Sequence, residues 1–269
     1  MTTTTAHTTT SGGAVPEATT TRPPVDISGD KVPFVRLAGL EVRKMVDTRA
    51  GMWMLIAMAA ISFLLCGMLL IWGNEPGDTN FSVFLELVWM PLMLLLPIMG
   101  IMSVTQEWSQ RTGLSTFTLV PRRGRIIAAK CVAALVLTAV LLVAGTAAAA
   151  ASTLIGGGEF TMGGISGAGL VLASLIFTLQ GVAFGAAFLN TPIAIVSSLA
   201  LPTVWSILTS MITRMEDVAP WLDLQMVTAP LTSGDMAGKD WAQLGTASLA
   251  WVGIPLAIGT YRILTREVK

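Results

Sequence analysis

Charge is scarce in this sequence. Asp, Glu, Lys and Arg make up 12% of its 269 residues, against about 25% in a typical soluble domain. Hydrophobic residues reach 53%, and mean hydropathy is +0.72. That balance places the chain in a bilayer. Histidine is nearly missing. The single one, His7, lies in a polar stretch far from any apolar run, which excludes Ser-His hydrolysis and a His-ligated metal site within the membrane. Cys66 and Cys131 both fall in apolar runs and read as small hydrophobes, neither a disulfide framework nor metal ligands. No pair of carboxylates stands in a long apolar run. A phosphate-binding loop is lacking too. In Gly234 to Lys239 the glycines are one residue too close, and no Ser or Thr follows the lysine. Gly156-Gly157-Gly158 reads as a flexible turn. The chain is expected to be no enzyme, with no nucleotide-binding motif and no cofactor of its own.

What is present falls into order along the chain. Residues 1–32 are dominated by Thr, Ser, Gly and Pro and read as a disordered Thr-rich cytoplasmic tail. The first apolar run begins near Met52, too far along for a secretory signal. Residues 34–48 have helical periodicity. Phe34, Val35, Ala38, Val42, Met45 and Val46 share one arc, with Arg36, Arg43, Lys44 and Asp47 opposite. Leu37, Leu40 and Glu41 blur the edge. The pattern predicts an amphipathic helix in the headgroup plane; a short cytosolic helix with a solvated charged face is the plainer alternative.

Six apolar segments follow, near 52–72, 83–104, 126–155, 169–189, 192–212 and 244–264. Each is long enough to cross a hydrocarbon core of about 30 Å. The second contains Pro91 and Pro97 and the fifth contains Pro202, so bent helices are expected there. Thr191 can cap the fifth helix and Pro192 suits its first position. Between the fifth and sixth segments, Trp221, Leu222, Met226 and Trp241 mix with prolines and acids. This predicts a short helical or re-entrant segment, or an ordinary loop anchored by interfacial tryptophans. The fold class is therefore all-α and integral to a membrane, with six transmembrane helices.

Fourteen of the sixteen Lys and Arg residues fall on one side of such a layout, leaving Arg214 and Lys239 opposite. The positive-inside rule then makes both termini cytoplasmic in a multi-pass protein of the cell membrane. Within the spans, Glu86 is a candidate substrate contact, since intramembrane charge is commonly functional. A carboxylate reaching headgroup water is the alternative. Met90 and Met93 beside Pro97 suit a flexible path lining, against a reading as core or lipid-facing methionine. With Pro202 these form the candidate translocation path. Gly181 and Gly185 make a G-x-x-x-G that suits close helix packing.

The stretch from Val104 to Lys130 gathers cations between two apolar runs. It holds Glu107, Trp108, Arg111-Thr112-Gly113, Leu114, Phe117, Pro121, Arg122, Arg123, Arg125 and Lys130. Charged ends around apolar anchors suit docking into a groove on a partner. Arg122, Arg123 and Arg125 alternatively hold the loop to anionic headgroups. Glu107, Arg111-Thr112-Gly113, Thr118 to Pro121, Arg122, Arg125 and Lys130 resemble the signature of ABC-2 type transporter permeases. The order Thr112-Gly113 is reversed relative to that signature, and Ala129 stands where it has glycine before the lysine.

The resemblance spans about residues 33–269 and implies a permease that works as a pair of membrane subunits, homodimeric or heterodimeric. It implies a separate ATPase subunit carrying ATP and Mg, gripped through a coupling helix containing Glu107, Trp108, Arg111 and Thr112, with Leu114 and Phe117 as apolar contacts. No extracytoplasmic binding domain is evident, which fits export of an amphipathic drug, lipid or peptide. Membrane lipids are further expected partners, and nucleic acid is not. The alternative in another class is a membrane immunity or scaffold protein that binds a partner without transport.

Overall fold

The computed structural model describes residues 33–73, 75, 77–109, 123–212, 215 and 217–265, with the backbone alone at Ser109 and Arg123. Ten α-helices are assigned among the described residues: α1 Phe34–Asp47, α2 Arg49–Trp72, α3 Phe81–Ser109, α4 Arg123–Gly156, α5 Gly167–Phe188, α6 Thr191–Met211, α7 Ala219–Leu222, α8 Leu224–Ser233, α9 Gly238–Ser248 and α10 Ile254–Thr265. A five-residue π turn, Leu249–Gly253, joins α9 to α10. No strand occurs among the described residues. Six helices are long and apolar enough to cross a membrane: α2 to α6, and the composite running from Gly238 to Thr265. The tail 1–32 lies outside the described residues.

Helix α5 is central. Helices α3, α4, α6, α8 and α10 all pack on it. Without water to squeeze out between helices in lipid, association depends on close packing and interhelical hydrogen bonds. Glycine supplies the closeness. A methyl group at Gly181 would collide with the Pro97 carbonyl of α3, and one at Gly185 would sit 2.8 Å from the Ile101 oxygen. Gly100 of α3 reciprocates, its Cβ position lying 2.6 Å from the Thr178 carbonyl. The G-x-x-x-G thus meets a neighbour in the same chain. Hydroxyls add ties: Thr138 and Thr178 lie 2.9 Å apart between α4 and α5, and Thr191 donates to Thr105 at 2.8 Å between α6 and α3. The Arg262 guanidinium of α10 donates to the Ala187 carbonyl at the end of α5, where helix carbonyls lack partners and attract cations.

Three local expectations are corrected. The cap of α6 is Asn190, whose side chain accepts from Ile193 N at 3.2 Å. Thr191 is already helical and spends its hydroxyl on Thr105. Both are good cap formers, and the helix simply starts one residue earlier. In α1 the buried stripe is Leu37, Ala38, Glu41 and Met45, while Val35 is 82% exposed. Apolar counting treats Glu41 as an edge residue, but a partner from another helix brings it inside. Finally, α3 runs on to Ser109, so Glu107 and Trp108 belong to the last turns of a spanning helix and not to a separate loop helix.

The loops at the opposite end are knitted together. Phe81 N donates to Glu159 O at 2.9 Å, and Ser166 N donates to Thr232 O at 2.7 Å. Between α6 and α10 the described residues include the helices α7, α8 and α9, and α8 rests on α5. Asp223 caps α8 by accepting from Gln225 N and Met226 N, both at 3.0 Å. Leu224, Val227 and Leu231 then cluster with Ala173 of α5. The π turn carries Trp251, whose indole donates to Leu222 O at 2.6 Å and stacks on Phe184.

Gly181→Ala is expected to lower thermal stability in detergent measurably, by about 1–3 kcal/mol in the range typical of overpacking. Gly67→Ala, with nothing within 4 Å of its Cβ position, is the control and should stay near the parent. Equal melting of both variants and the parent would refute this account of the α3–α5 seam.

Candidate functional site

Four helical stripes face a common space. On α3, Glu86, Met90, Met93 and Pro97 recur at spacings of four, three and four, which puts them on one face. On α5, Leu170, Ala173, Phe177 and Gln180 do the same. Ser198, Leu199, Pro202 and Thr203 come from α6, and Leu224, Gln225, Thr228 and Thr232 from α8. Together with the 163–165 turn they enclose a cavity of about 1000 Å³, at the upper end of the range for small-molecule sites. All five residues proposed from sequence as a path, Glu86, Met90, Met93, Pro97 and Pro202, line it.

The wall has a definite chemistry. Among the described residues Glu86 is the one charged member of the lining, and no described lysine or arginine joins it. Proline has no N–H, so the carbonyls four residues before Pro97 and Pro202 lose their regular helical donor. Those carbonyls belong to Met93 and Ser198, both in the lining. Every lining hydroxyl already donates within its own helix: Ser198 to Ile195 O, Thr203 to Leu199 O, Thr228 to Gln225 O, Thr232 to Thr228 O and Ser233 to Pro230 O. Their oxygens remain as acceptors. Gln180 is 4% exposed, and Trp89, also in the lining, buries an indole N–H that has no hydrogen-bond partner among the described residues. Sequence reasoning missed Gln180, although a single amide in the otherwise apolar α5 is a signal. It also missed the α8 wall, whose contribution depends on how the loop folds back.

At the other end of α3, twenty-one residues and roughly 30 Å away along a helix, four charges interlock. Lys130 Nζ of α4 lies 2.7 Å from Glu41 Oε2 of α1, 3.2 Å from Glu107 Oε1 of α3 and 2.9 Å from Ser103 O. That satisfies all three of its donors. Lys44 Nζ lies 2.7 Å from Glu41 Oε1 and 3.0 Å from Glu107 Oε1. Side-chain exposure is 3% for Glu41, 5% for Lys130 and 10% for Glu107, with Lys44 at 46% as the outer member. Two carboxylates and two ammoniums cancel, which is what allows burial. Burial alone would lower the Lys44 pKa, but the hydrogen bond and charge of Glu41 with the charge of Glu107 hold it above the usual lysine value. Its share of stability is therefore complete below about pH 10 and fades as pH rises through the raised value.

The remaining sequence candidates are distributed around this junction. Trp108 is half-buried against the main apolar core, and Arg125 is half-buried in the first turn of α4. Arg123 opens α4. Arg111, Thr112, Leu114, Phe117 and Arg122 lie outside the described residues. No cluster of three potential metal-ligating side chains occurs among the described residues. No family model matches the chain, and no curated protein matches it.

Lys130→Met would strand two buried carboxylates on one partly exposed lysine, and the expected loss is about 3–5 kcal/mol. Arg43→Gln, which removes an exposed pair with Asp47, should cost less than about 1 kcal/mol. The double variant Glu41→Gln, Lys130→Gln should recover part of the loss, because no net charge remains buried. Reversing Glu107 to Lys would set three ammoniums around Glu41 and should destabilise like Lys130→Met. Denaturant titration of the purified protein in detergent reads all four; wild-type midpoints for Lys130→Met would refute the network.

Proposed function

We propose that this chain is the membrane permease subunit of an ABC-type exporter. It moves an amphipathic substrate with ATP hydrolysed on a separate subunit, and pairs with a second permease subunit. The observation that carries this reading is the continuity of α3. One helix lines the cavity with Glu86, Met90, Met93 and Pro97, then enters the ionic junction through Glu107, then leads into the cationic loop 110–122. A push on the loop would reach the cavity through one continuous helix. Both α3 and α6 carry proline at the cavity wall, where helices yield most readily.

In this reading the residues divide their work. Leu114 and Phe117 are the apolar anchors on the ATPase, oriented by Arg111 and Thr112. Glu107 acts one step back: bound to Lys44 and Lys130, it fixes the stem from which the loop springs. Arg122, Arg123 and Arg125 hold the loop at the anionic headgroups of the cytoplasmic face. Both termini are cytoplasmic.

The double variant Leu114→Asp, Phe117→Asp should insert and melt like the parent, yet lose co-purification with its ATPase and the ATP turnover that depends on the complex by at least about tenfold, as expected for removing buried apolar anchors. Full retention of a stoichiometric ATPase would overturn the proposed docking. A chain that co-purifies with a partner but never with an ATPase would instead favour a scaffold or immunity role.

A further inference from the structure

The cavity between α3, α5, α6 and α8 is one-sided in charge among its described residues, and oxygen acceptors outnumber its donors, the Trp89 indole N–H and the Gln180 amide. Among the described residues its single ionisable lining group is the exposed carboxylate of Glu86. The hydroxyls of its wall have given their protons to their own helices and offer lone pairs inward. Pro97 and Pro202 add carbonyls without a regular donor at Met93 and Ser198. The aromatic faces of Trp89 and Phe177 and the thioethers of Met90 and Met93 supply an apolar, polarisable floor.

An anionic amphiphile would bring a second negative charge to Glu86 in a site of reduced dielectric, where like charges are costly. It would find mostly oxygen acceptors, with Trp89 Nε1 and the Gln180 amide as the donors and no lysine or arginine among the described lining residues. A neutral apolar molecule would bury Glu86 and the wall carbonyls without compensation. A cation with an apolar body satisfies both halves: its charge pairs with Glu86 and the carbonyl oxygens, and its body covers the aromatic and aliphatic wall. The surroundings favour the same sign. The described loops at this end carry Glu75, Asp78, Glu159, Asp217, Asp235 and Asp240 against Lys239, a field that raises the local concentration of cations.

We infer that the cavity is a binding site for an amphipathic organic cation, with Glu86 as the charge partner that sets its sign selectivity. Met90 and Leu94 are 64% and 57% exposed beside the cavity, which leaves room for an apolar body longer than the pocket. This inference rests on reading the cavity as the permease path.

Two probes of one shape and opposite charge test it: tetraphenylphosphonium and tetraphenylborate. The full chain is placed in nanodiscs of zwitterionic lipid, and binding is corrected for empty discs. Tetraphenylphosphonium should bind saturably and tetraphenylborate should not. Glu86→Gln, at an exposed position, should melt like the parent and bind tetraphenylphosphonium about tenfold more weakly, the loss expected of one partly desolvated ion pair. Ser198→Phe, which fills the cavity, should abolish saturable binding.

Equal binding of both ions, or no change in Glu86→Gln, would overturn the inference. The assay contains no ATPase, so the two readings fail separately. If the chain engages an ATPase but ignores the cation, the substrate class falls alone. If it binds the cation but engages no ATPase, the motor-driven reading falls and the site stands.

Discussion

Charge inside a membrane protein must be cancelled where it stands, and that requirement shapes the Glu107 end of this bundle. Glu41, Lys44, Glu107 and Lys130 come from three helices, and each ion is held by at least two oppositely charged groups. No pair among them would suffice. Lys130 without Glu41 would keep Glu107 as its one counter-charge; Glu41 without Lys130 would keep only the half-exposed Lys44. The network therefore specifies docking as much as it stabilises it. Only the arrangement that brings α1, α3 and α4 together satisfies every charge, and any slip of α1 by one residue breaks it.

The Glu86 end solves a different problem. There the described polar side chains that line the space are neutral, apart from Glu86, and are arranged around it instead of filling it. Two helices contribute prolines, one contributes a lone buried amide, and the α8 segment closes the side with threonines bonded to its own backbone. The same α3 serves both ends, which is why its face alternates between glycine and proline contacts for α5 and thioether contacts for the cavity.

Much of this was legible in the sequence, for a physical reason. Spanning helices are defined by length and apolarity alone, and the six segments read from the chain agree with the helices within a few residues, apart from the ends of α3 and the start of the last composite. The stripe Glu86, Met90, Met93, Pro97 was also visible, because spacing on one helix is local information. The ionic junction was not. Glu41 and Lys130 are separated by 89 residues, and hydropathy scores each as a surface residue. Knowing that they meet requires the packing of α1 on α4. The same limit hid the α8 wall. Local pattern predicts which element forms; it does not predict which polar group finds a partner from elsewhere.

The seam between α3 and α5 has a mechanical meaning as well. Side chains between helices absorb small displacements by changing rotamer, and glycine has none to change. Where Gly100, Gly181 and Gly185 bring backbone against backbone, the two helices must travel as one stiff body. Helix α6 is the contrast: 22% of its apolar window is buried, against 61% for α5, and two residues, Leu189 and Asn190, separate the two helices. Of the three spanning helices that wall the cavity, α6 is thus the one least held by protein, and strain delivered to the stiff pair passes to it across that two-residue joint.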